Sequence, residues 1–212
     1  MNRKGNLKKG LEGKREEKPA RCLILTDGEK TERYYFEGLR DHLSQTRISI
    51  KVISKKAKTT DRLLDEAYRI CRNEDYAVIA MVLDKDDIKD FDQRMFKLKS
   101  AKVHKQEIKL GWSNPCIETW FSAYFGPLIS GNTSQECIKS FKRIFKQKTG
   151  HEYTKTNKDL YKLLIKYGNE EDARKRAEEI LKRHKEIGHL KPSEQIPGTT
   201  VHEVLRAILD EK

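Results

Sequence analysis

Two short segments of the sequence bring acidic residues together at spacings that suit a metal site. In LTDGEKTE, Asp27, Glu29 and Glu32 follow a short apolar run, and in LDKDD, Asp84 and Asp86 come at the end of the most apolar run of the chain. Carboxylates that gather in one place repel each other unless protons or a cation neutralise them. Mg²⁺ suits such a set, because it binds a few carboxylates together with water and substrate phosphates, and Mn²⁺ is a possible substitute.

Both segments fall where the hydrophobic pattern predicts that a strand ends. RCLILT (21–26) is a short apolar run followed by Asp-Gly, and YAVIAMVLD (76–84) predicts a central strand buried on both faces. Ligands of open parallel sheets bind at the carboxyl ends of the strands. Taken singly, Asp-Gly is a common turn and DKDD an ordinary solvated loop. Their occurrence at the ends of two strands favours one shared site, into which Asp84 and Asp86 can both point.

A third candidate acid lies in SNPCIETWFSAYF (113–125). Pro115 ends a strand and begins a helix, on which Glu118 is an acid in otherwise apolar surroundings. Burying a carboxylate is costly unless a cation, a metal or a hydrogen-bond donor accompanies it. We therefore include Glu118 among the site residues, and we expect Trp120 and Phe121 to belong to the core.

The remaining elements follow from the periodicity of apolar residues. Before Pro115, helices are predicted over 31–43, 59–72 and 90–102, and further strands over 47–54 and 108–113. After Pro115 we expect only helices, over 116–126, 134–148, 156–167, 169–186 and 199–210. Thr200 is the predicted cap of the last one. Strands that alternate with helices indicate an α/β fold, a parallel sheet of about four strands with flanking helices, followed by a helical C-terminal subdomain.

The charge of the chain favours polyanionic partners. The formal net charge is +12, and neutralising phosphates releases counterions from nucleic acid. Residues 1–18 are predicted to form a disordered basic arm. Four basic residues recur at steps of three and four on one predicted helix, so they share a face and are candidate nucleic-acid-binding residues: Lys139, Lys142, Arg143 and Lys146. A merely solvated helix face is the alternative interpretation.

Other classes of site find little support in the sequence. The four cysteines form no CxxC pair and no cluster with histidine, so we expect neither disulfides nor structural zinc. No histidine lies at a spacing from an acid or a nucleophile that would indicate a catalytic role. No apolar run approaches the roughly 18 residues of a membrane span, and the N-terminus is polar, so we expect a cytoplasmic protein with no membrane partner.

Three motifs together resemble those of the RloB-like family: DGEKTExxYFxGL, the DxDD after the third strand, and SNPCxExW. The segment PGTTVHEVLRAI is similar to the closing helix of that family. The resemblance runs from Arg21 to Ile208, which is nearly everything except the arm. The family belongs to the wider Toprim group, found in topoisomerases, primases, recombination proteins and nucleases. The resemblance therefore implies a Toprim-like domain over 19–126, with the basic helical region 127–212 packed on that domain.

The resemblance also implies a set of metal ligands. Toprim domains place one Glu after the first strand and a DxD after the third, and these acids bind magnesium for phosphodiester chemistry. In this chain Asp27 stands at the Glu position, and Asp84 and Asp86 match the DxD. An Asp is one methylene shorter than a Glu and reaches about 1.5 Å less, so the activity could be weaker or the metal shifted.

Further roles follow from the same resemblance. Lys30 would offset negative charge in the transition state, while Glu32 and Glu118 would support or orient the ligands. The family resembles accessory genes of restriction, phage-defence and abortive-infection loci, often next to an ATPase. It therefore implies a metal-dependent effector nuclease that cuts DNA or RNA, with tRNA among the possible targets.

Two other functions are compatible with parts of the pattern. One is a non-catalytic module that binds nucleic acid or a protein partner, in which Asp27 marks a degenerate site. The other is a receiver-type domain with an acidic pocket, which would need a lysine after a fifth strand. The predicted helical tail offers no such strand. The oligomeric state does not follow from the sequence.

Overall fold

The computed structural model describes residues 19–54 and 60–211. The predicted basic arm, 1–18, lies outside the described residues. Within these ranges the strands are β1 (Ala20–Thr26), β2 (Ile48–Ser54), β3 (Val78–Asp84), β4 (Lys102–Val103), β5 (Gln106–Glu107), β6 (Lys109–Asn114) and β7 (Gly198–Thr199). The α-helices are α1 (Thr31–His42), α2 (Thr60–Cys71), α3 (Phe91–Ser100), α4 (Glu118–Ala123), α5 (Ser134–Thr149), α6 (Leu160–Tyr167), α7 (Glu170–Glu186) and α8 (Val201–Leu209).

The main sheet contains five strands in the order β2-β1-β3-β6-β7. The first four are parallel, and β7 pairs antiparallel with the end of β6. Every residue of the central strand β3 is buried, as its unbroken apolar run predicts. The fold is therefore mixed α/β with a mostly parallel sheet.

Helices cover both faces of this sheet and divide the apolar interior into two clusters. One cluster joins α1, α4 and the C-terminal helices, and it includes the fully buried rings of Trp120 and Phe121. The other joins α2, α3 and the opposite face of the sheet around Met81 and Trp112. Residues of α5, α6, α7 and α8 belong to the first cluster, so the C-terminal helices pack directly on the sheet domain.

Two expectations about the extent of the strands and helices were wrong. Strands do not stop at Pro115, because Gly198 and Thr199 add a fifth strand to the sheet. A two-residue strand has no periodicity, so the pattern could not reveal it. The helix predicted over 90–102 ends at Ser100, and Lys102 begins a small antiparallel hairpin formed by β4 and β5. The residue after β7 is Thr200, so the fifth strand still lacks the lysine of a receiver domain.

Thr200 does precede the last helix, but its side chain does not cap that helix. Its hydroxyl accepts a hydrogen bond from the backbone N–H of Trp112 and donates one to the carbonyl of Leu110. The hydroxyl therefore ties α8 to the edge of β6. Among the described residues, no helix has both the length and the apolar composition needed to cross a membrane.

Candidate functional site

The acidic site forms where two neighbouring strands end side by side. β1 and β3 are adjacent and parallel, with Thr26 opposite Val82. The backbone N–H of Asp27 donates to the carbonyl of Val82 across 3.4 Å, which extends the contact one residue past β1. Asp84 is the last residue of β3. The parallel pairing thus brings the two acidic segments to the same edge of the sheet.

Asp84 is the acid of this edge whose carboxylate has an oxygen without a partner in the described part of the chain. Its side chain is buried, and its Oδ1 atom has no hydrogen-bond partner among the described residues. Burial is the first cause that holds the pKa of Asp84 well above its ordinary value, and the charges of Glu32, Asp27, Asp86 and Glu118 add to it. Such an oxygen needs a proton or a cation.

Asp27 lies half-buried beside the same group. The pKa of Asp27 is raised to about 8, mainly by burial and also by the charges of Glu32 and Asp86, while backbone hydrogen bonds from Asp27 and Asp84 act in the opposite direction. Its carboxylate therefore lies near the backbone of Asp84 and near two other acids. These shifts indicate that the carboxyls of this edge are not all ionised at neutral pH without a cation.

Glu32 comes from the first turn of α1 and is buried. The pKa of Glu32 is raised to about 7, mainly by burial and also by the charge of Glu118, whereas its own backbone hydrogen bond and Lys155 act in the opposite direction. Gly28 makes the position of this carboxylate possible. A Cβ atom at Gly28 would lie 2.0 Å from Oε2 of Glu32, so any other residue would collide with the carboxylate.

Glu118 is buried at the first turn of α4, as its apolar surroundings predict. The hydroxyl of Tyr153 donates a 2.7 Å hydrogen bond to its Oε1 atom. Burial and the charge of Glu118 raise the pKa of Tyr153, so the hydroxyl stays protonated and remains a donor. Tyr153 therefore supplies the partner that a buried carboxylate requires.

Asp86 is exposed at the outer end of the group and has a left-handed backbone, with φ of 38°. Such a conformation is uncommon for a residue with a Cβ atom. Two contacts hold it, because the backbone N–H of Asp86 donates to the carbonyl of Pro115 at 2.9 Å and the hydroxyl of Ser134 donates to Oδ1 of Asp86. Ser134 is the first residue of α5, so this helix begins at the site.

These side chains surround a cleft of about 270 Å³. The residues that line it are Gly28, Glu29, Lys30, Thr31, Glu32, Asp84, Asp86, Ile117, Glu118 and Lys155. Five of the six predicted catalytic residues line the cleft. The exception is Asp27, which does not line the cleft, although the charges of two lining residues, Glu32 and Asp86, raise its pKa.

The donor set suits a hard divalent cation that keeps part of its water. Among the described residues, no group of three or more acidic, histidine or cysteine side chains is arranged to enclose a metal ion. Mg²⁺ does not require such a cage, because one or two carboxylates together with water and phosphate oxygens hold it. The unpartnered Oδ1 of buried Asp84, with Asp86 at the cleft wall, meets this lesser requirement.

The predicted nucleic-acid-binding residues form an exposed stripe on α5. Lys139, Lys142, Arg143 and Lys146 are all exposed, on the side of the helix away from buried Phe141. Lys146 forms an ion pair with Glu152, which offsets part of its charge. The stripe is accessible, and its role stays a prediction.

Several residues that line the cleft or contact its acids gave no signal in the sequence. Lys155 and Tyr153 lie in the loop between α5 and α6, Ser134 lies at the start of α5, and Gly28 reads as an ordinary turn glycine. Long-range contacts bring the first three to the acids, and no local pattern encodes them. For Gly28, the sequence indicated only that the Asp-Gly of the first motif forms a turn.

Comparison with protein families matches residues 22–208 to the family model described as RloB-like protein. This segment covers most of the chain. The protein belongs to the RloB-like family. Comparisons with curated proteins and with solved structures each gave no significant match. In this RloB-like protein the matched segment contains every residue that lines the acidic cleft, together with the basic stripe of α5.

Proposed function

We propose that this RloB-like protein is a metal-dependent nuclease with a Toprim-like catalytic domain, acting on DNA or RNA. The observation that carries the proposal is the buried carboxylate of Asp84, whose Oδ1 atom has no described partner and whose neighbours are four further acids. A fold that only had to be stable would not gather charges in this way. Perturbed carboxyls in a cleft are typical of functional sites.

The proposal assigns roles to the acids of the site. Asp84 and Asp86 would hold Mg²⁺ or Mn²⁺, with Asp27 as a further ligand or as general base. When bound, the cation polarises the scissile phosphate and lowers the pKa of an attacking water. Glu32 and Glu118 would orient the ligands, as buried carboxylates with fixed partners can.

Two lysines give the cleft its attraction for a phosphate. Lys30 and Lys155 are exposed and line the same cleft from different parts of the chain, one before α1 and the other before α6. A positioned cation stabilises negative charge that develops on phosphate oxygens in the transition state. We infer that both lysines contact the substrate backbone, while the stripe on α5 binds phosphates farther along the strand.

The resemblance of the motifs suggests the setting of this activity. We infer an effector of a bacterial phage-defence or restriction-associated system, with tRNA among the candidate substrates and an ATPase encoded nearby as a candidate partner. This part of the proposal rests on family context and not on the geometry of the cleft.

A non-catalytic nucleic-acid- or partner-binding module is the second candidate. It is favoured by the position of Asp27 outside the cleft lining and by the lack of a three-residue cage among the described residues. In that case the acidic group would be the remnant of a former active site, and the basic stripe alone would bind nucleic acid.

The test is a cleavage assay with labelled plasmid, single-stranded DNA and total tRNA, in Mg²⁺, Mn²⁺ or EDTA. The proposal expects metal-dependent cleavage that Asp84→Asn abolishes and that Asp65→Asn, a change in an exposed acid on α2 outside the cleft lining, leaves intact. The assay is run with the protein alone and with cell extract added, because an activating partner could be required. Salt-sensitive binding without cleavage, unchanged by EDTA and by Asp84→Asn in both conditions, would establish the binding module.

A further inference from the structure

The hydrogen bond between Ser134 and Asp86 joins the start of α5 to an acid of the cleft. The hydroxyl of Ser134 donates to Oδ1 of Asp86, although 48 positions separate the two residues in the chain. Asp86 is one of the residues that line the cleft, whereas Ser134 lies outside the lining. Ser134 therefore contacts a proposed metal ligand without being a candidate ligand itself.

The backbone around Asp86 is fixed independently of this contact. The N–H of Asp86 donates to the carbonyl of Pro115 at 2.9 Å, and the N–H of Lys85 donates to the carbonyl of Ser113 at 2.8 Å. Ile88 closes the turn, since its N–H donates to the carbonyl of Lys85 at 2.9 Å. The freedom that remains to exposed Asp86 is the rotation of its own side chain.

The contact with Ser134 restricts this rotation and makes the two carboxylate oxygens of Asp86 unequal. Oδ1 accepts the hydroxyl hydrogen, while in the part of the chain that the structure describes no hydrogen bond or ion pair engages Oδ2. Each carboxylate oxygen has a limited number of lone pairs, so Oδ2 is the oxygen that stays free for a cation. A carboxylate held in this way binds a metal ion through one oxygen more readily than through both.

Ser134 can hold Asp86 in place because the first turn of α5 is itself fixed. The hydroxyl of Thr133 caps the helix by accepting a hydrogen bond from the N–H of Glu136 at 3.2 Å. The carboxylate of Glu136 accepts in turn from the N–H of Asn132 at 2.9 Å. Reciprocal hydrogen bonds of this kind stabilise the N-terminal turn of a helix.

The number of carboxylate oxygens offered to a cation affects which cation binds. Mg²⁺ requires a nearly ideal octahedron and is usually held by one or two carboxylates together with water, and Mn²⁺ shares its preference for oxygen ligands. Ca²⁺ is larger, takes about six to eight oxygens and readily accepts both oxygens of one carboxylate. A single free oxygen on Asp86 therefore favours Mg²⁺ or Mn²⁺ over Ca²⁺.

We propose that Ser134 is a positioning residue that selects the cation of the acidic cleft. By engaging Oδ1 it keeps Asp86 a ligand with one free oxygen and favours a small octahedral cation over Ca²⁺. The inference rests on the proposed metal site, in which the buried Oδ1 of Asp84 has no described partner and Asp84 lines the same cleft as Asp86. It also makes the C-terminal helical region part of that site, since α5 begins at Ser134.

The test measures cation binding to the full chain by isothermal titration, with Mn²⁺ and with Ca²⁺, in the absence of nucleic acid. The wild type should bind Mn²⁺ more tightly than Ca²⁺. Ser134→Ala frees Oδ1 and the side chain of Asp86, so the affinity for Mn²⁺ should fall about tenfold or more, while the affinity for Ca²⁺ falls less or rises. Ser134→Thr keeps a hydroxyl and should retain the preference for Mn²⁺. A role in folding alone would change both affinities together.

Ser140→Ala is the matched control, because Ser140 lies on the same helix but does not line the cleft. It should leave both affinities unchanged. The same preference for Mn²⁺ over Ca²⁺ in the wild type and in Ser134→Ala would overturn the role of Ser134 while the metal site stands. If the wild type binds no Mn²⁺, or if Asp84→Asn binds Mn²⁺ as tightly as the wild type does, the metal site and the role of Ser134 are both wrong.

Discussion

The hydroxyl of Tyr153, in the loop after α5, donates a 2.7 Å hydrogen bond to the buried carboxylate of Glu118 at the start of α4. Tyr153 also packs against Phe141 at a centroid distance of 4.8 Å, with the two rings edge to face. One residue of the C-terminal region therefore joins the helical core to an acid of the cleft. The same loop carries Lys155 to the cleft wall.

Tyr153→Phe removes this donor while it keeps the ring in the core. Glu118 is then left buried without that partner, so the free energy of unfolding should fall by about 1–3 kcal/mol. Urea denaturation at neutral pH measures the change. Tyr167→Phe is the control, because Tyr167 is exposed, and it should change stability little. Equal effects of the two substitutions would show that the Tyr153 hydroxyl does not stabilise Glu118.

Gly28→Ala should disturb the cleft more than the fold. The new Cβ atom would lie 2.0 Å from Oε2 of Glu32, so the carboxylate must turn away from its position among the acids. If the cleft binds a divalent cation, we expect affinity for Mn²⁺ to drop about tenfold or more, as for other losses of a supporting group. Isothermal titration gives the affinity. Gly126→Ala meets no atom within 4 Å and should bind Mn²⁺ like the wild type.

Lys155→Met tests the contact with the substrate backbone. Lys155 lines the acidic cleft, whereas Lys158, three residues later, lines a separate surface pocket next to α1. Loss of one phosphate contact should weaken nucleic-acid binding and reduce the slope of log affinity against log salt by about one. Binding is measured in EDTA over a range of salt, so that cleavage does not interfere. Lys158→Met should change the slope less, and identical slopes for the two variants would contradict the assignment of Lys155.

The buried side chain of His202 leads to a prediction about how the free energy of unfolding depends on pH, and this prediction is independent of the cleft. It is buried on α8, and burial lowers its pKa from the ordinary 6.5 to about 4. Because the folded pKa is the lower one, the unfolded chain binds the extra proton between these values. The free energy of unfolding should therefore fall as the pH drops from about 6.5 to 4, by roughly 2–3 kcal/mol from this residue.

His202→Gln removes this proton uptake. The denaturation curves of the variant should show a smaller loss of stability over the same pH range, while above pH 7 its pH dependence should match that of the wild type. Parallel stability profiles of the two proteins from pH 7 to pH 4 would mean that His202 does not contribute to the acid sensitivity.

The sequence alone determined the elements that carry strong local patterns. The apolar runs before Asp27 and Asp84 predicted β1 and the buried β3, and the single acid on an apolar helix predicted that Glu118 needs a partner. The periodicity of apolar residues is a property of residues close together in the chain, so the sequence alone predicts which of them are buried. The meeting of two acidic segments followed as well, since parallel strands end at a common edge.

Only the tertiary structure decided which residues complete the cleft. Tyr153, Ser134 and Lys155 reach the acids through contacts made by the helical region, and nothing near them in the chain indicates such a role. The two-residue strand β7 and the hydroxyl of Thr200 likewise depend on the edge of β6 for their hydrogen bonds. Hydrogen bonds and charges act across space, so groups far apart in the chain become partners only when the core brings them together.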